Sequence, residues 1–122
     1  MANVQVVFKS INSKTLCDDI LGFLMEGVND FGIVWDSEPH RESYIHVVND
    51  FLTDLSEEGK IGQFKVIGDK RNNKYTDMEK GIYHVDVAYQ QRNCLNTSQI
   101  NLTISTLDDI DEEILDFLSL NP

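Results

Sequence analysis

The sequence predicts a small α+β domain of order β-α-α-β-β-β-α. Its mixed or antiparallel sheet packs on two helices, and an acidic helix closes the chain. Three observations carry this. Tyr44, Val48, Phe51, Leu52 and Leu55 fall three and four apart and so share one face of a helix, which Gly59 ends with a left-handed residue. Phe64 and Val66 alternate with Lys65 and Ile67, the period of a strand. After a polar excursion from Asp69 to Lys80, Gly81 opens a second strand in which Tyr83, Val85, Val87 and Tyr89 share a face.

The remaining elements follow in order. Val4, Val6 and Phe8 alternate with Gln5 and Val7, which predicts a short strand over residues 4–9. A terminal strand either pairs within its own sheet or pairs with the edge of another chain. Asn12, Ser13 and Thr15 offer caps for a helix whose apolar stripe is Leu16, Ile20, Phe23, Leu24, Val28 and Phe31, with Gly32 at its end. Gly22 and Gly27 inside it each cost about 1 kcal/mol relative to alanine, a cost explained by close packing against another element or else simply tolerated. Ile33 to Trp35 reads as a brief extended piece. Pro39, suited to a first helical turn, starts a second helix that runs to about Glu58. A third strand of the central group carries Ile100, Leu102 and Ile104. Thr106 or Asp108 then caps a last helix, with Ile110, Ile114, Phe117 and Leu118 on one side and Asp111, Glu112 and Asp116 on the other.

With 122 residues and no repeat, linker or low-complexity segment, residues 1–122 form a single domain. Ten basic residues against 21 acidic ones give a net charge of −11 and a pI near 4.4. Such a surface repels nucleic-acid phosphate and anionic lipid, so no nucleic-acid or membrane partner is expected. It suits solubility, docking on a basic partner, or imitation of DNA. Cys17 and Cys94 form no CxxC pair or disulfide framework, so free thiols in a reducing compartment are expected. Met1 leads straight into a strand and no apolar run reaches spanning length, which gives an intracellular reading. The two Asn-x-Ser/Thr matches, at Asn96 and Asn101, are then chance.

The groups that could carry chemistry are sparse. Asp36, Glu38, His40 and Glu42 would need an extended chain to converge on a metal, and Pro39 with the following helix breaks the alternation. His84 and Asp86 share one side of a strand, where side chains two apart more often form a solvated face than an acid–base pair. His46 flanks the apolar stripe. Cys17, beside Asp18 and Asp19, is expected to hold its proton rather than act as a nucleophile. No phosphate loop, nucleophile elbow, zinc-protease or calcium-loop spacing occurs. No catalytic residue, metal or cofactor is assigned, and a non-enzymatic protein is expected. Lys70, Arg71 and Lys74 would form a basic contact tip on an otherwise acidic molecule.

The central stretch FLTDLSEEGKIGQFKVIGDKRNN, an acidic turn, a glycine, the strand IYHVDVAYQQ and the strand INLTIS resemble the C-terminal domain of contractile phage tail sheath proteins. Leu55, Gly59, Ile61, Phe64, Val66, Asp69, Asn72, Asn73, Asp77 and Gly81 stand where that family places its helix end, its G-x-I/L-x-x-F/Y-x-V-x-x-D strand, its Asn-rich turn and its next glycine. The likeness covers about residues 12–105, leaving residues 1–11 as an arm and residues 106–122 as the acidic helix. The family's large N-terminal portion and its loop proline are missing, Gln91-Arg92-Asn93 standing in the latter's region. That implies a small stand-alone relative such as a sheath initiator or terminator.

The resemblance implies a structural component of a contractile tail. It would be found in the host cytoplasm during assembly and in the virion tail afterwards. Terminal strands given to the sheets of neighbouring subunits would build it in. The partners would be other copies, as a homo-oligomer, or other tail and sheath proteins. The strands concerned would carry Val4, Val6 and Phe8, and Ile100, Leu102 and Ile104. Deleting residues 1–9 is then expected to abolish assembly and leave a folded monomer. The alternative is a small acidic phage-encoded factor that binds a basic host protein or covers a DNA-binding surface. Asp108, Asp109, Asp111, Glu112 and Glu113, together with Glu57 and Glu58, would form its contact.

Overall fold

The computed structural model describes residues 3–31 and 38–105. The predicted C-terminal helix and the extended piece at Ile33 to Trp35 lie outside these residues. Among the described residues seven elements follow one another: β1 (Asn3–Lys9), α1 (Lys14–Phe31), α2 (Glu38–Glu57), β2 (Ile61–Ile67), α3 (Tyr75–Glu79), β3 (Ile82–Gln91) and β4 (Thr97–Ser105). The strands form one wholly antiparallel sheet in the order β1-β4-β3-β2. The α+β class therefore stands, with the sheet antiparallel rather than mixed. The short helix α3 lies inside the excursion that the sequence reading left as a polar turn.

Period-two patterning decides which sheet face is covered. Tyr83 stands opposite Ile104, Val85 opposite Leu102, Val87 opposite Ile100 and Tyr89 opposite Ser98, so these side chains share one face. All are buried. Val66 joins the row from β2, and Val4, Val6 and Phe8 join it from β1. Ile20, Leu24 and Val28 of α1 and Tyr44, Val48, Leu52 and Leu55 of α2 close the core above it. The two helices meet through stacked rings of Phe23 and Phe51, with centroids 4.0 Å apart, and through the Tyr44 hydroxyl, which donates to Leu24 O at 2.9 Å.

Local chemistry sets the ends of the elements. Ser13 Oγ accepts from Leu16 N–H at 3.3 Å and caps α1. At the end of α2, Lys60 N–H bonds to Leu55 O and Gly59 N–H to Ser56 O, with Gly59 at φ +79°. This paired pattern is the closing motif that a left-handed residue permits, as the sequence led one to expect. The turn from β1 into α1 is tied to the start of β4. Ser98 Oγ donates to Ser10 O at 3.0 Å and accepts from Asn12 N–H at 3.3 Å.

Candidate functional site

Antiparallel order leaves two edge strands, β1 and β2, and the two are built differently. β2 carries a register irregularity between Ile61 and Phe64, presents an exposed Lys65, and lies against α2. Bulges and edge lysines discourage pairing with a foreign strand. β1 has neither an irregularity nor a proline, and its one charge, Lys9, sits at its end. It pairs with β4 along its whole length, from Asn3 opposite Ser105 to Lys9 opposite Gln99. Along its other side no strand lies among the described residues.

The same edge leaves the core open to the side. Ile100, Leu102 and Ile104 of β4 are at most 1% exposed, whereas Phe8, in the same row, is 45% exposed and Val4 and Val6 are half-buried. Val7, on the opposite face, is 52% exposed. The strand order bears on both terminal strands that the resemblance singled out. β4 is an inner strand with neighbours on both sides and buried apolar side chains, so it has no edge to give a partner. β1 is paired at home, so it offers its outer edge, not a detached arm. Removing residues 1–9 would uncover the β4 backbone and the Ile100–Leu102–Ile104 row, and the remainder would lose core as well as contact.

The open sheet face holds a polar network. Asp86 accepts from Asn72 Nδ2 at 3.0 Å and from Asn101 Nδ2 at 2.8 Å. His84 Nδ1 lies 3.1 Å from Thr103 Oγ1, and its Nε2 lies 3.7 Å from an Asp77 oxygen. His84 and Asp86 thus share a face, as their alternation implied, yet each is engaged with other residues. A hydroxyl, an imidazole and a carboxylate in line have the makings of a nucleophile relay. However, the 3.7 Å gap exceeds hydrogen-bond reach, and none of the three side chains lines either of the two clefts described for the molecule.

Asn73 is buried and pairs with the β3 backbone as another strand would. Its Oδ1 accepts from His84 N–H at 2.6 Å and its Nδ2 donates to His84 O at 2.9 Å. Asn72 Nδ2 also donates to Ile67 O at 2.8 Å, so the two asparagines join β2 to β3. Sequence reasoning placed both in a turn and missed this function. The available signal was two adjacent side-chain amides at a strand exit, which can replace ladder hydrogen bonds.

A cleft of about 790 Å³ lies between the start of α2 and the β2–α3 connection, with Arg41, Lys70, Arg71, Tyr75 and Tyr83 among its lining. The expected basic tip does not form an isolated positive patch there. Arg71 clasps Asp69, its Nη2 2.8 Å from Oδ2, and Glu38, Glu42 and Glu79 line the same cleft. Lys74 is exposed at the start of α3 and does not itself line the cleft, although its neighbours Asn73 and Tyr75 do. Arg41 lies 5.6 Å from the centre of the Tyr83 ring, within cation–π range.

The acids of the helical layer point outward. Asp18, Asp19 and Glu26 of α1 and Glu38, Glu42, Asp50, Asp54 and Glu57 of α2 are exposed, with Lys14 the exposed cation among them. Asp108, Asp109, Asp111, Glu112 and Glu113 lie outside the described residues. Glu38, His40 and Glu42 occupy the outer surface of α2, and no group of three or more metal-type side chains comes together among the described residues. Burial first, and Asp18 to a lesser degree, push the Cys17 thiol up, while Tyr89 pulls the other way. The direction is the one expected from its acidic neighbours, but the main cause is the core. No described helix is long and apolar enough to cross a membrane.

Comparison of the chain with protein-family models, with characterised proteins and with solved structures gives no match. The described residues form a small α+β domain with one acidic helical face, one polar sheet face and, at β1, one sheet edge with no strand or bulge among those residues to guard it.

Proposed function

We propose that the protein is a non-enzymatic assembly subunit that joins its neighbours by main-chain pairing along the outer edge of β1. The resemblance of residues 12–105 to sheath C-terminal domains gives this a setting, a component of a contractile phage tail or a related machine. One observation carries the reading: β1 is an apolar edge strand without the devices that the opposite edge, β2, possesses. A strand added there would satisfy the outward N–H and C=O groups of β1 and cover Val4, Val6 and Phe8 at once.

Light scattering coupled to size exclusion, at several protein concentrations and two salt levels, tests it. Assembly through main-chain and apolar contacts should persist in high salt, because a net charge of −11 makes copies repel most when screening is weak. The double substitution Gln5→Lys with Val7→Lys places charge on the exposed side of β1, away from the core row. It should reduce any assembly to monomer without loss of helix signal. An assembly that survives the double substitution would overturn the reading, as would a strict monomer.

The acidic helical layer favours a second reading, in which α2 docks on a basic protein. Binding of an arginine-rich peptide would then fall steeply with salt and with Asp50→Asn, Asp54→Asn and Glu57→Gln. Binding that ignores both would exclude it.

A further inference from the structure

We infer that the strand completing the β1 edge is β1 of a second copy, antiparallel about a two-fold axis through Val6; the inference rests on the assembly reading above. The sequence of the strand is self-complementary in that register. Antiparallel pairing centred on Val6 sets Val6 opposite Val6, Phe8 opposite Val4, Val7 opposite Gln5 and Lys9 opposite Asn3. All seven residues of Asn3–Lys9 find partners. Residues directly opposite one another in a sheet share a face. Phe8 of each copy would therefore cover the half-buried Val4 of the other on the helix side, where the core of each stands open. The two Lys9 side chains would fall at opposite ends of the pair, so no like charges meet. Both copies keep their helices on the same side of one continuous eight-stranded sheet.

The alternative head-to-tail contact, β1 against β2 of the next copy, is also antiparallel. It would have to run across the irregularity at Ile61/Phe64 and past Lys65. The two-fold contact avoids both. It also closes on itself at two copies, whereas a head-to-tail contact builds a larger ring or a filament. An isologous pair of this kind stops growth at two, which suits an end piece better than a repeating sheath subunit.

Cysteine pairing reads the register. In a Cys94→Ser background, Gln5→Cys and Val7→Cys variants with different affinity tags are co-expressed, purified as folded protein and mildly oxidised. Cys17 is buried and stays out of the reaction. In the Val6-centred register residue 5 faces residue 7 of the partner, so the co-expressed pair should give a tag-mixed disulfide dimer. Either variant alone should give only traces. Efficient cross-linking of Val7→Cys alone would mean a register centred on Val7. An oligomer with no cross-link in any combination would mean another contact. Either result overturns this inference; the first leaves the assembly reading standing, and after the second that reading stands only if Gln5→Lys with Val7→Lys still breaks the oligomer. A monomer by light scattering at every concentration overturns both.

Discussion

The ring of Tyr44 occupies the space a side chain at residue 27 would need: a Cβ built on Gly27 would stand 2.8 Å from Tyr44 Cε2. Tyr44 cannot easily swing away, since it is fully buried and its hydroxyl is bonded to Leu24 O. Gly27→Ala should therefore destabilise the fold by about 1–3 kcal/mol, although alanine favours a helix by up to about 1 kcal/mol. Gly22 lies in the same helix with nothing within 4 Å of its added Cβ. Gly22→Ala should stabilise by up to about 1 kcal/mol. Denaturant titration of the pair checks this, and effects of the same sign would show that Tyr44 does not set the helix approach.

Asn73 closes the β2–β3 connection by standing in for a strand. Asn73→Ala removes the partner of His84 N–H and the shorter of two bonds to His84 O, leaving Asn72 Nδ2 on that oxygen at 3.3 Å, while the site stays buried. The expected loss is about 2–3 kcal/mol, since unmade buried hydrogen bonds carry their full desolvation penalty. Hydrogen exchange should quicken first at the amides of residues 67 and 84, before the β4 amides respond.

Asp69 is held down by Arg71. The guanidinium and the Arg71 N–H both donate to its carboxylate, bringing the pKa from the ordinary 3.8 to about 2. A lowered pKa means that the linked stability is complete above pH 3.8 and is lost as pH falls through about 2. The pair is exposed, so the effect on stability is small. The direct measure is the carboxyl carbon shift of Asp69, which should titrate near pH 2 and move back toward 3.8 in Arg71→Ala.

Three tyrosines resist ionisation because they are buried. Burial pushes Tyr89 to about 12, with the Cys17 thiol adding to it, and burial likewise pushes Tyr44 and Tyr83 up. A raised pKa here favours the neutral phenol in the folded state. The linked stability is full below pH 10 and is lost as pH rises through about 12. Phenolate absorbance against pH should show these three ionising together with loss of the fold. The Tyr89 hydroxyl is buried beside Cys17 and Ser98 and makes no hydrogen bond of full geometry with either. Tyr89→Phe should thus be neutral or stabilising by up to about 1 kcal/mol. A loss greater than that would show that the hydroxyl has a partner in solution.

The sequence by itself determined the local matters. Apolar positions at spacings of three, four and two marked α1, α2 and all four strands, and Gly59 and Pro39 marked helix ends, because periodicity and backbone sterics act over a few residues. It also set Val4, Val6 and Phe8 apart as one alternating row. Tertiary structure decided what those residues are free to do. Val4–Val6–Phe8 and Ile100–Leu102–Ile104 look alike as alternating strands, yet one lies at an edge and the other is flanked on both sides. Strand order depends on contacts between residues nearly a hundred positions apart, and no local pattern encodes it. The same holds for Asn72 and Asn73, whose amides read as turn residues until β3 comes alongside. Gly27 is the converse case, its cost visible in the sequence and its reason, the ring of Tyr44, supplied only when the two helices meet.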